Sequence, residues 1–193
     1  MKLDHVEGAI LIGGASSRMG RDKARLEWKG TPLAQRVADV LGSCVSRVRL
    51  VMRPGSEPPL DLPCIVDQRP EHAAMVGVHA ALVACESAAV LVAACDLPEI
   101  DPRVVLALLA LVPAQAGPDV VAPLGPGGYE PLLAVYRPRV LPEMERRIEA
   151  GELSLQSLLR AVDTLAIPEA ELRAIDPELR SLRNVNRPDD LVG

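Results

Sequence analysis

VEGAILIGGASSRMGRDKARL, residues 6–26, runs from an apolar stretch into two glycines. Arg18, Arg21 and Lys23 then stand among small residues. The apolar part predicts a buried strand that ends at Gly13. Two phosphate-loop templates fail on the segment after that strand. Gly20 precedes Arg21, and the position five before it is Ala15, so GxxxxGK[ST] is absent. Ala15 also stands where the dinucleotide fingerprint requires glycine after Gly13. A tight turn accounts for a Gly-Gly pair taken alone. The whole set points to phosphate binding. Gly13 and Gly14 let backbone N–H groups approach a ligand, Ser16 and Ser17 add hydroxyl donors, and Arg18 and Lys23 bring positive charge to either side of Gly20.

Outward from this loop, short β-branched runs alternate with helical patterns. Strands are predicted at 47–52, 64–67, 89–96, 119–123, 132–137 and 182–186. Helices are predicted at 32–44, 75–85, 102–112, 139–151 and 154–162. Asp101 and Pro102 read as the cap and first turn of one helix, and Gly151 as the stop of another. GPGG at 125–128 marks a turn between two strands, and the Pro-rich 53–63 a surface loop. The alternation predicts an α/β fold: a three-layer, doubly wound, mostly parallel, Rossmann-like sheet with helices on both faces, in a single domain over 1–193. In such folds ligands bind beyond the carboxyl ends of the strands. Gly13, Asp67, Asp96 and the 184–186 segment all fall at or near predicted strand ends.

AVLVAACD (89–96) delivers Asp96 to the end of the most apolar strand. A hard carboxylate there suits Mg²⁺ held together with substrate phosphates. Capping the next helix is the bland alternative, and Asp101 is better placed for it. Asp67 reads equally as a turn-forming residue or a functional one. NVN places Asn184 and Asn186 on one face if 182–186 is a strand, where they could read a polar heterocycle or cap the following turn. His5, His72 and His79 form no spaced pair with a carboxylate, and no Ser-His-Asp set can be assembled.

Bulk properties narrow the classes further. A net charge of −5 argues against broad nucleic-acid binding but leaves room for one basic pocket. With no Phe, one Trp and two Tyr, base-stacking platforms are nearly absent. Cys44, Cys64, Cys85 and Cys95 have neither CxxC spacing nor a disulfide pattern. No signal peptide and no membrane span is predicted, so the expected location is cytoplasmic, with no membrane partner.

LIGGASSRMGRDKARLEWKGTPL resembles the signature LAGGxSxRMGxDKxLxxxxGxPL of nucleotidyltransferases with a glycosyltransferase-A-like fold. ACDLP at 94–98, YEPLLAVYR at 129–137 and NVNRPDDL at 184–191 extend the resemblance, in order, to the molybdenum cofactor guanylyltransferase (MobA) family. That resemblance implies GMP transfer from GTP to the phosphate of molybdopterin, with Mg²⁺ as cofactor and cofactor-biosynthesis or acceptor enzymes as possible protein partners. It implies nucleotide contacts from Leu11, Ile12, Gly13, Gly14, Lys23, Asp67 and Asp96. Arg18 and Lys23 would neutralise the triphosphate, Asp96 would bind Mg²⁺, and Asn184 and Asn186 would face the pterin. Three departures lie on the nucleotide side: Ile12 for a small Ala, HAAMVG (72–77) for PGPLAG, and Val51 or Arg53 where Asn often stands. A CTP- or sugar-phosphate-using relative, and a catalytically weak nucleotide binder active in cofactor delivery, stand as alternatives.

Overall fold

The computed structural model describes residues 4–13 and 23–185. Along the chain, β1 (Val6–Leu11) precedes a small hairpin, β2 (Glu27–Trp28) and β3 (Thr31–Pro32), and helix α1 (Leu33–Cys44). Next come β4 (Val48–Met52), β5 (Cys64–Val66), α2 (Ala74–Val83), β6 (Ala89–Ala94) and α3 (Pro102–Ala110). The last part holds β7 (Val120–Gly125), β8 (Gly128–Tyr129), β9 (Leu133–Tyr136), α4 (Leu141–Glu149), α5 (Leu155–Ala161), β10 (Thr164–Pro168) and α6 (Glu169–Ile175).

The main sheet runs β10-β7-β9-β6-β1-β4-β5, with β8 folded back on β7. β5, β4, β1 and β6 are mutually parallel, as are β7 and β10; β9 runs against both its neighbours. The chain leaves β1 towards β4 and β5, then returns to β6 on the other side of β1. That reversal makes the carboxyl ends of β1 and β6 the switch point at which open α/β sheets bind ligands.

Continuous apolar runs form the central strands because both faces are covered. Val6 and Ile10 of β1 join Leu91 of β6, Leu41 of α1 and Leu108 of α3 in one core. Ala9 and Leu11 join Val90 and Val92 with Met75 of α2, Met144 of α4 and Leu158 of α5 on the other face. The charged member of β1, Glu7, is buried at the amino end, where it accepts from Glu86 N–H and pairs with Arg49. On α1 the buried set Leu33, Val37, Leu41 and Cys44 gives the expected stripe. Asp101 Oδ1 caps α3 by accepting from Arg103 N–H at 2.8 Å.

Residues 182–185 depart from the strand predicted at 182–186; Asn186 lies outside the described residues. Arg180–Leu182 is a 3-10 turn and 183–185 has no regular structure. Leu179, at φ 51°, breaks the chain's direction, and Val185 N–H donates to Asp96 O instead of to a strand. The same-face argument for Asn184 and Asn186 lapses with the strand. The strand after α5 is β10, which the alternation of runs does not reveal: Leu165 is exposed on it and Pro168 ends it, as suits an edge strand.

Tyr136 is wholly buried, and its hydroxyl donates to Pro131 O at 2.7 Å, tying the turn before β9 to the strand. Burial drives its ionisation far above the usual tyrosine range. Tyr136→Phe is expected to cost about 1 kcal/mol, the net value of one such bond. Urea unfolding with an unchanged m-value would show it.

Candidate functional site

Three strand ends meet at the switch point. β1 ends in Leu11, followed by Ile12 and Gly13; Ile12 N–H donates to Val51 O at 2.8 Å, continuing the β4 ladder for one more residue. Cys95 N–H donates to Leu11 O, which fastens the end of β6 beside it. Gly13 then takes φ +114°, a conformation that side chains disfavour, and a Cβ built there meets nothing within 4 Å. Gly77 of α2 serves a different need. A Cβ there would stand 3.2 Å from Leu11 Cδ2, so this glycine lets α2 lie close over the end of β1. Ile12, expected to add bulk beside a base, is only 8% exposed and packs into the core shared with α1 and α3.

Asp96 lies two residues beyond β6, at the switch point. Its Oδ2 lies 2.7 Å from Lys23 Nζ, with the two side chains 19% and 17% exposed. Its Oδ1 is buried and lacks a hydrogen-bond partner among the described residues. A buried acceptor left so costs about 1–3 kcal/mol, which a fold retains where the group has another task. The backbone O of Asp96 accepts from Val185 N–H at 2.9 Å, while Val185 packs against Trp28 and Leu33. The approach of the C-terminal segment therefore brings exposed Asn184 beside Asp96.

Asp67 lies one residue beyond β5 and is 4% exposed. Its N–H donates to Met52 O, and its Oδ1 accepts from Arg69 N–H at 3.0 Å, so it forms the turn that one of the two readings foresaw. Three inter-strand steps separate β5 from β6, about 14 Å of sheet. Asp67 thus marks one end of a shelf and Asp96 the other, with Leu11–Gly13 between them. Gly14, Arg18 and Asn186 lie outside the described residues, as do Ser16 and Ser17.

Sequence reasoning missed Glu130. β9 pairs with β6 antiparallel, ending at Ala93 opposite Leu133, and Ala94 N–H then donates to Leu132 O. Glu130 lies in the turn before that pairing begins, where its N–H donates to Pro123 O and its O accepts from Leu133 N–H. Burial pushes the Glu130 carboxyl up and the charge of Asp96 adds to it, while Leu132 N–H, donated to the carboxylate, pulls the other way. YEPLLAVYR shows the residue, but no pattern in it shows which strand it will face.

A cleft of about 610 Å³ lies elsewhere, at the amino ends of β7 and β10. Within it Arg139 pairs with Asp119 and Arg146 with Glu143. No described helix is long and apolar enough to cross a membrane. Cys44 and Cys95 are buried, Cys85 is half-buried and Cys64 is exposed.

The model of the MobA-like NTP transferase domain matches residues 8–166. A protein of Chloroflexus aggregans named "probable molybdenum cofactor guanylyltransferase" is 38% identical, over 96% of this chain and 91% of that protein. The molybdenum cofactor guanylyltransferase of Desulfosudis oleivorans is 31% identical, over 98% of this chain and 94% of its own length. In three dimensions, the crystal structure of molybdopterin-guanine dinucleotide biosynthesis protein A from Archaeoglobus fulgidus superposes with a TM-score of 0.80. It has 29% identity and covers 96% of this chain and 95% of its own.

Proposed function

The chain belongs to the MobA-like NTP transferase domain family, and from that premise we propose that it transfers GMP from GTP to the phosphate of molybdopterin, releasing pyrophosphate. The observation that carries the reading is the Lys23–Asp96 pair at the switch point, with one carboxylate oxygen satisfied and the other left over.

In this reading the acceptor phosphate attacks the α-phosphorus of GTP in line and pyrophosphate leaves. Such a reaction needs positioning and charge neutralisation more than a protein nucleophile. Leu11, Ile12, Gly13 and Gly14 hold the nucleoside along the end of β1, largely through backbone groups. Asp67 fixes the far end of that shelf. Lys23 neutralises the triphosphate and the charge that builds on the leaving group, and Arg18 shares this work. Asn184, beside Asp96, and Asn186 face the pterin.

Asp96 Oδ1 fits a hard divalent cation: it is a buried carboxylate oxygen, unpartnered among the described residues, at the mouth of the sheet. The described residues hold no cluster of three or more His, Cys, Asp or Glu able to bind a metal. Mg²⁺ takes one or two carboxylates and completes its shell with water and phosphate oxygens. Once bound at Asp96, Mg²⁺ would supply charge neutralisation at the phosphate oxygens.

A thermal-shift panel of GTP, CTP, ATP and UTP, each with and without Mg²⁺, tests the reading. GTP at ~100 times its dissociation constant should add about 2.7 kcal/mol of stability, in a Mg²⁺-dependent manner. A larger shift with CTP, or none with any nucleotide, would reject it.

A further inference from the structure

Besides the two large cores on either face of the sheet, the described residues form a small third apolar cluster. Trp28, Leu33 and Val185 are buried together, and Leu26 packs against them. These residues come from the β2–β3 hairpin, the start of α1 and the C-terminal segment.

The cluster holds the backbone of both members of the Lys23–Asp96 pair. Leu26 N–H donates to Lys23 O at 3.1 Å, closing the 3-10 turn Lys23–Arg25, and Leu33 N–H donates to Leu26 O at 2.8 Å. From the other side, Val185 N–H donates to Asp96 O at 2.9 Å. A looser tie joins the hairpin to the segment after Asp96. Lys29 Nζ lies 5.3 Å from the Trp28 ring centroid and 3.5 Å from Glu99 Oε1. Lys23 and Asp96 are 73 positions apart in sequence, so their 2.7 Å contact depends on whatever keeps the two backbones in register. Close-packed apolar side chains resist displacement, because a gap of about 0.5–1 Å already forfeits a quarter to a half of a contact's attraction.

Resting on the reading of the Lys23–Asp96 pair as part of the transfer site, we infer that Trp28 is a positioning residue of that site. Its indole, packed with Leu33 and Val185 and against Leu26, sets the separation of Lys23 from Asp96. Trp28 does not touch substrate; it acts through Leu26 and Val185. Packing carries this role and the indole N–H does not, since Nε1 is buried with no hydrogen-bond partner among the described residues.

Steady-state pyrophosphate release by the full chain, with GTP varied, tests this in two backgrounds. In the parent, Trp28→Ala should lower kcat about 10-fold or more, since a misplacement of ~1 Å at a reacting centre costs up to about 10²-fold. Trp28→Phe, the conservative variant, should recover most of that loss, because it keeps an aromatic ring and discards the unpartnered N–H. Val185→Ala, a smaller change, should lower kcat in the same way and carries the test if Trp28→Ala does not fold. In an Asp96→Ala background both alanine variants should cost little more, because residues that act through one another do not give multiplying losses. Trp28 is the only tryptophan, so its emission reads this cluster alone. Val185→Ala should shift that emission to the red while the chain stays folded. Equal losses in both backgrounds would make Trp28 a merely structural residue and overturn the inference. Turnover of Trp28→Ala within twofold of the parent, or an emission that Val185→Ala leaves unmoved, would overturn it too while leaving Asp96 in place. An Asp96→Ala chain with the parent's turnover would strike the reading of the pair itself, and the inference with it.

Discussion

Asp96→Ala should lower the rate of pyrophosphate release by roughly 10²-fold or more, the usual loss when one preorganised stabilising group is removed from a transfer site. The chain should fold as before. The contacts that place residue 96 run through backbone atoms, including Val185 N–H on its O, and β6 is buried along its length. The carboxylate carries one buried oxygen with no partner among the described residues, whose unmet cost its loss removes, and one that pairs with Lys23, whose attraction its loss forfeits. The two effects oppose each other, so thermal stability should change little. Turnover within a few-fold of the parent would remove Asp96 from the mechanism. A large fall in stability would recast it as a structural residue.

Lys23→Ala should cost a similar factor in turnover. Lys23 Nζ sits 2.7 Å from Asp96 Oδ2, and both side chains are more than four-fifths buried. Its removal takes positive charge from the place where the triphosphate must lie, and leaves Asp96 without this partner. The KM for GTP should rise as kcat falls, because the ammonium acts on the bound triphosphate as well as on the leaving group. Lys23→Arg should recover only part of the loss, since a planar fork does not reproduce a point charge on a short reach. The double variant Lys23→Ala/Asp96→Ala should lose less than the product of the two single losses, because the residues act as a unit. Steady-state pyrophosphate release with GTP varied, for all four chains, measures every term. Independent, multiplying losses would contradict the pairing.

The features legible in the sequence are those with local causes. β1 and β6 are buried on both faces, so their apolar runs announce them, and the small or acidic residues at their ends mark where the sheet opens. Asp101 and Pro102 signal the start of α3 by chemistry that a helix needs in its first turn. Asp96 and Lys23 are readable as candidates, but their contact joins residues 73 positions apart and belongs to the fold. The reversed direction of β9 is hidden for the same reason, since direction leaves no trace in the composition of a strand. β10 and α6 escape the sequence reading because an edge strand need not bury both faces, which blurs its pattern. Residues 182–185 mislead because LRNV alternates as a strand does, while the Val185 N–H docks on Asp96 O and its side chain on Trp28. Ile12 shows the converse case. The substitution is plain in the sequence, but only the packing shows that its bulk goes into the core.

Label transfer is the most direct test of the central claim. The chain, Mg²⁺ and molybdopterin are incubated with GTP labelled at the α-phosphorus, and in parallel with CTP labelled in the same way. The label should move from GTP onto the pterin product, with one unlabelled pyrophosphate released per transfer and little transfer from CTP. Label that stays on GTP, or that moves as readily from CTP, would contradict the assignment.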